Sequence, residues 1–210
     1  EIKLKDERVS FLKKAKVPFA MIGRTEKPGK DSFVDRDFIG ATQLGIDYLD
    51  SLGHKKIAFL TTERALGVDT RFSSALLEAA SKKKMAAMKI QVANEASSGR
   101  DAFIKLHEYC PDVTAVVSLN DIATLGFISG ANAYGIKIPK ELSVIALDTP
   151  ENHIEMSWPP MTTVNLPAFE MGAAASNILI NELEQKESEH NQVLITGELK
   201  VRSTTDIARQ

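Results

Sequence analysis

Four polar residues stand just beyond apolar runs that read as β-strands. Asn120 and Asp121 follow Val113–Leu119, and Asp148 follows Ser143–Leu147. Arg71 opens the helix that comes after the run Ile57–Leu60 and its Thr61-Thr62 end. In an open parallel sheet, ligands bind in the crevice beyond the carboxyl ends of the strands, so these residues converge on one rim. An amide, two carboxylates and a guanidinium suit a polyhydroxylated ligand, whose hydroxyls need acceptors and donors in fixed places. The competing reading is structural. Asp and Asn after a strand often cap the next helix, and Asp121 is expected to do so. For Asn120 and Asp148 both readings stand.

Signatures of catalysis are missing from the sequence. There is no Gly-rich dinucleotide fingerprint, no phosphate loop ending in Gly-Lys-Ser/Thr and no Gly-x-Ser-x-Gly elbow. His54, His107, His153 and His190 fall in separate elements without metal-ligand spacing, so neither a metal nor a cofactor is expected. Cys110 has no obvious base beside it and reads as an inert thiol. Trp158 could stack on a sugar face or simply pack in its Pro-rich loop. Lys82-Lys83-Lys84 ends a helix and reads as solvated charge that complements the helix dipole.

The elements that must hold these residues alternate. Short apolar runs (Phe19–Ile22, Ile57–Leu60, Met88–Val92, Val113–Leu119, Ser143–Leu147) are separated by stretches of helical period. In the first helix, Phe38, Ala41, Gly45, Tyr48 and Leu52 share one face, Asp37 is placed as N-cap and Gly53 as the C′ residue. Further helices are predicted over about 70–84, 99–109 and 121–134, the last closed by Gly135. Apolar strands alternating with helices predict an α/β fold with a parallel sheet covered on both faces.

After residue 148 the rhythm breaks. Thr149–Pro160 reads as a loop with at most a short helical piece, followed by a strand Thr162–Leu166 and a helix over about 168–187. That helix is apolar on two sides. Phe169, Ala173, Ser176, Ile180 and Leu183 form one stripe, and Ala174, Ala175, Ile178 and Leu179 form another. One face therefore belongs to its sheet, and the other goes either to a deep core or to a subunit interface. Glu184–His190 reads as a polar linker, with final strands near Val193–Ile195 and Leu199–Arg202.

Composition narrows the functional classes. With 26 Lys+Arg against 28 Asp+Glu among 210 residues, the chain offers no phosphate-neutralising field, so it is not expected to bind nucleic acid by itself. No apolar run reaches a membrane-spanning length of roughly 18–20 residues. The start is charged rather than signal-like, and one cysteine favours a reducing compartment. The expected location is the cytoplasm.

Several stretches taken in order carry a family resemblance. Val34–Ala41 leads into Tyr48–Leu60, and Arg71-Phe72 opens a helix. Ser118–Asp121, Ile138–Asp148, Pro159–Val164, Glu170–Gly172 and Glu198–Thr204 follow. Together the chain resembles the effector-binding region of the lactose/galactose-repressor (LacI/GalR) family of transcription regulators. The resemblance implies a periplasmic-binding-protein-like type I fold of two parallel-sheet subdomains joined by crossing strands. On that pattern residues 1–33 with 163–196 form part of an N-terminal subdomain, and 34–162 with 197–210 form the C-terminal one.

It also implies a sugar-like effector in the cleft on Arg71, Asn120 and Asp148, with Phe72 and Trp158 as apolar contacts. A homodimer is expected through faces of the helices near 122–134 and 168–183, with operator DNA bound by a headpiece outside this sequence. The family's headpiece and first βα units have no counterpart before Glu1, and the missing initiator Met is expected of a fragment. Two positions depart from the pattern. Thr149 stands where many members have a second acid, and Gly23 where others have an Asp, so one ligand contact is either missing or supplied by Arg24. The alternative reading is a sugar-binding receptor of an import system on the same fold; an enzyme is not expected.

Overall fold

The computed structural model describes residues 2–62, 67–149, 151–184 and 191–209. The chain opens with helix α1 (Glu7–Lys14), strands β1 (Met21–Ile22) and β2 (Phe33–Arg36), and helix α2 (Phe38–Ser51). It continues through β3 (Lys56–Thr62), α3 (Gly67–Lys82), β4 (Ala86–Val92), α4 (Ala96–Tyr109), β5 (Ala115–Ser118), α5 (Asp121–Ala133) and β6 (Ser143–Leu147). Helix α6 (Glu151–Glu155), β7 (Thr162–Asn165), α7 (Ala168–Leu183), β8 (Gln192–Ile195) and β9 (Glu198–Lys200) complete it.

The strands form two sheets among the described residues. The larger has the order β4-β3-β5-β6-β7-β9, and the smaller has the order β1-β2-β8. All pairings are parallel except β7 with β9. β5 and β6 are buried along their whole length because helices cover both faces of the large sheet. On one face α2 and α3 bring Phe38, Ile46, Leu49, Phe72 and Leu76 onto Ile57, Phe59, Val117 and Ile145. On the other, α4 and α5 bring Phe103, Leu106, Phe127 and Ala131 onto Ala58, Leu60, Val116 and Val144. Successive strand residues thus serve opposite cores, as period-two geometry requires.

α4 and α5 meet at Gly99 and Gly126. A Cβ on Gly126 would lie 1.9 Å from the Ala96 carbonyl oxygen, and one on Gly99 would lie 1.9 Å from that of Ala123. Only glycine permits this approach.

The expected caps of α2 are present. The Asp37 carboxylate accepts from Gly40 N at 2.9 Å, and Gly53 takes φ +85°, with its N–H donating to Asp50 O at 2.9 Å. Helix α7 turns Met171, Ala175 and Ile178 onto the small sheet beside Val34. It ends at Leu183, earlier than the apolar pattern suggested, and 185–190 of the expected linker lie outside the described residues. Helix α1 was not expected at all.

The chain passes between the sheets three times, after β2, after β7 and between β8 and β9. β2 runs to Arg36 in the small sheet and β7 to Asn165 in the large one. Among the described residues, no helix is long and apolar enough to cross a membrane.

Candidate functional site

Strand register builds the rim. Leu60, Ser118 and Ala146 lie side by side across β3, β5 and β6. Two residues further along each strand, Thr62, Asn120 and Asp148 therefore stand level at the carboxyl edge. The small sheet repeats the construction. Ile22 pairs with Val34, so Arg24, beyond β1, stands level with Arg36 at the end of β2.

Side chains from the two edges meet. Arg36 Nε lies 2.9 Å from Asp148 Oδ2, and Arg71 Nη2 lies 3.5 Å from Asp35 Oδ2. The same Asp35 oxygen is 3.2 Å from Arg24 Nε, and the Asp35 side chain is only 2% exposed. Burial pulls the Arg71 guanidinium below its ordinary pKa. Asp35 opposes that shift, and the like charge of Arg24 adds to it. A cavity of about 290 Å³ opens here, lined by Arg24, Arg36, Arg71, Ile39, Glu78 and Leu194 among others.

The sequence-selected residues fare differently. Arg71 and Asp148 both stand on the large-sheet side of the cleft, each in a charge pair with a residue of β2 in the small sheet. Asp148 adopts φ +56°, a left-handed conformation that Asp tolerates better than most residues. Strain of this kind gathers at functional positions. Asn120 proves to be the N-cap of α5: its Oδ1 accepts from Ala123 N at 2.9 Å, which leaves the amide NH₂ as the group that can address a ligand. The cap was expected of Asp121, which instead lies within the first turn and holds His153 Nδ1 at 2.5 Å.

Phe72 is not on the cavity wall. It is 1% exposed in the core, because adjacent helical residues point about 100° apart and its neighbour Arg71 takes the cleft side. Trp158 is also elsewhere. Its carbonyl accepts from Asn132 Nδ2 at 3.3 Å, and Asn132 lies eleven residues along α5 from Asp121, ~16 Å at 1.5 Å per residue. The indole is 80% exposed at the end of α5 away from the rim.

Sequence reasoning passed over Asp35 and Arg36 as site residues, although Val34-Asp35-Arg36-Asp37 ends a strand at the first passage. It also left Thr149 without a role. Among the described residues, the buried hydroxyls of Thr61, Thr62 and Thr149 have no hydrogen-bond partner, and all three follow or end strands at this rim. Buried hydroxyls are rarely left unpaired, so these mark places for a polar ligand or water. No group of three or more His, Cys, Asp or Glu among the described residues is placed to hold a metal ion.

Comparison with known proteins agrees with this architecture. The sequence profile described as a periplasmic binding protein-like domain matches residues 46–205. The chain is 27% identical to the HTH-type transcriptional regulator MalR of Streptomyces coelicolor, over 95% of the chain and 59% of that protein. It therefore spans about three fifths of the length of this curated relative. A LacI-family regulatory protein of Chloroflexus aggregans superposes with a TM-score of 0.90 at 27% identity, covering 98% of this chain and 74% of that one. The transcriptional regulator CelR, solved in complex with cellobiose, gives 0.86 at 25% identity, covering 97% and 63%. The chain belongs to the periplasmic binding protein-like domain family, in the form that LacI-family transcription regulators carry.

Proposed function

We propose that this chain is the effector-binding and dimerisation region of a bacterial LacI-type transcription regulator, with a sugar-like effector between its two sheets. One observation carries the reading: Arg36–Asp148 and Asp35–Arg71 bridge the two sheets through residues that stand at the ligand rim. A ligand that hydrogen-bonds Asp148, Arg71 and the Asn120 amide competes with those bridges. It therefore binds one arrangement of the two units better than another, which is the condition for a ligand to shift a conformational equilibrium.

The two units that move would be 2–36 with 167–195, and 37–166 with 197–209. Operator DNA would be bound by a separate headpiece of the longer regulator, in the cytoplasm. The polar groups at the rim serve as caps, ion pairs and hydroxyls, which suits binding rather than catalysis. The neighbour solved with cellobiose supports a sugar. The relatives named as regulators favour this reading over an import receptor.

A second copy would pack on the solvent side of α7, where Phe169, Ile180 and Leu183 are exposed in one stripe. Two copies related by a two-fold axis would match a palindromic operator. The test is calorimetric titration of the chain with a panel of mono- and disaccharides, alongside Asp148→Ala and Arg71→Ala. One sugar is expected to bind the parent chain and neither variant, with sedimentation unchanged. Undiminished binding by Asp148→Ala would refute the site.

A further inference from the structure

We propose that the effector carries an anionic group, a phosphate monoester or a carboxylate, seated among Arg24, Arg36 and Arg71. This inference rests on the effector reading above and narrows the ligand class.

The three guanidiniums come from three elements, Arg24 after β1, Arg36 at the end of β2 and Arg71 on α3, and all line the same cavity. Each side chain is between 23% and 28% exposed, so each presents part of its surface to that space. The other described carboxylates nearby are committed elsewhere. Asp37 caps α2 on Gly40 N and so offsets that helix's own positive end. Glu78 pairs with Lys82 at 2.7 Å and is 68% exposed, with its charge turned to solvent. Asp148 is paired with Arg36.

Arg24 and Arg71 are then left to share Asp35, and both approach the same oxygen of it. Among the described residues, two partly buried guanidiniums on one carboxylate are short of one negative charge. Neither contact is well aligned: Asp35 Oδ2 has no hydrogen-bond partner among the described residues, nor has Arg71 Nε. Burying cations without matching acceptors is unfavourable, and an oxyanion bound between the forks would relieve it through charge-assisted bonds. The rest of the wall, Phe38, Ile39, Ala75 and Leu194, is apolar and suits the body of a ligand whose anionic end lies on the arginines.

The experiment titrates the 210-residue chain, at constant ionic strength, with inorganic phosphate, glucose, glucose 6-phosphate and glucuronate. Calorimetry and the thermal unfolding midpoint are followed. Phosphate is expected to raise the midpoint where chloride does not, and one charged sugar is expected to bind at least about tenfold more tightly than glucose. Whether glucose 6-phosphate or glucuronate shows that gain distinguishes phosphate from carboxylate. Arg24→Gln and Arg36→Gln should each weaken anion binding about tenfold, and Arg24→Lys should restore much of it. Since Arg24→Gln leaves Asp35 short of a partner, Arg36→Gln is the variant to rely on if it unfolds.

No response to any anion, or an equal response in Arg36→Gln, would overturn the proposal. Glucose binding as tightly as its charged derivatives would overturn the anionic subsite and leave the effector reading standing. Phosphate binding without binding of any sugar, charged or neutral, would keep the subsite and remove the sugar from it.

Discussion

The glycine pair between α4 and α5 gives a test in which one substitution has opposite signs at two helical sites. Gly→Ala inside a helix ordinarily stabilises by about 1 kcal/mol, because alanine is the better helix former and restricts the unfolded chain. Gly172 in α7 meets nothing within 4 Å of an added Cβ, so Gly172→Ala should gain about 0.5–1 kcal/mol.

Gly126 is different. An added Cβ would lie 1.9 Å from Ala96 O and 2.7 Å from Ala96 Cα, both backbone atoms that no rotamer change can remove. Bringing that carbon to an ordinary contact of about 3.3 Å means separating α4 from α5 by about 1.4 Å. The separation opens the core that Phe103, Phe127 and Ala131 close. Overpacking of this kind costs about 1–3 kcal/mol where side chains can adjust and more where they cannot, so it outweighs the propensity gain. Gly126→Ala should be destabilised by about 2 kcal/mol or more, measured as a lower urea midpoint at unchanged slope. Displacing α5 also displaces its N-cap Asn120, so effector affinity should fall with stability. A Gly126→Ala protein as stable as the parent would refute the close approach of the two helices.

Three further outcomes are expected. His54 is buried, with Nδ1 2.8 Å from Thr114 Oγ1 and Nε2 3.1 Å from Asp206 O, and burial lowers its pKa below the ordinary 6.5. The unfolded chain then takes up a proton that the folded chain refuses. Stability is held above about pH 6.5 and lost as pH falls from there toward the folded value, and His54→Gln should flatten urea midpoints taken between about pH 7.5 and 5.5. Asp148→Gly removes a left-handed side chain, worth about 1 kcal/mol, and a partly exposed ion pair worth about 0–1 kcal/mol. Its stability should therefore stay within about 1 kcal/mol of the parent by urea titration while calorimetry finds no effector binding. Ile180→Glu with Leu183→Glu should convert a dimer to a monomer in sedimentation with unchanged helical circular dichroism; a persisting dimer would place the interface elsewhere.

The centre of the large sheet was legible because β3, β5 and β6 are built on continuous apolar runs and the helices beside them carry clear end signals. Asp37, Gly53 and Gly135 do what their types imply. Helix α1 was not legible. Its eight residues bury only Val9 and depend on Asp6, which caps Arg8 N and grips the Arg8 guanidinium with both oxygens. Strand ends pointed to Arg71, Asn120 and Asp148, since register follows from the runs themselves. The failures have a common cause. Phe72 and Trp158 were carried over from the resemblance, whereas here a helix sends neighbouring residues to different sides and α6 carries the chain along α5, away from the rim. The pairing of Arg36 with Asp148 joins residues more than a hundred positions apart, and no local pattern encodes it.

The antiparallel β9 and the tail after it have a consequence for how the protein is made. Val164 pairs with Leu199, Val144 N donates to Thr204 O at 2.7 Å, and Ala208 N donates to Leu52 O at 2.9 Å. Residues 198–208 thus close the edge of a sheet begun some 150 positions earlier, and β8 supplies the small sheet's third strand only shortly before. Until then β7 is an open edge, which invites pairing between nascent chains. A ribosome that stalls before Lys200 would release a molecule with its ligand rim already encoded and its sheet unsealed. Until residues 198–208 are made and docked, that edge is where this chain is exposed to aggregation.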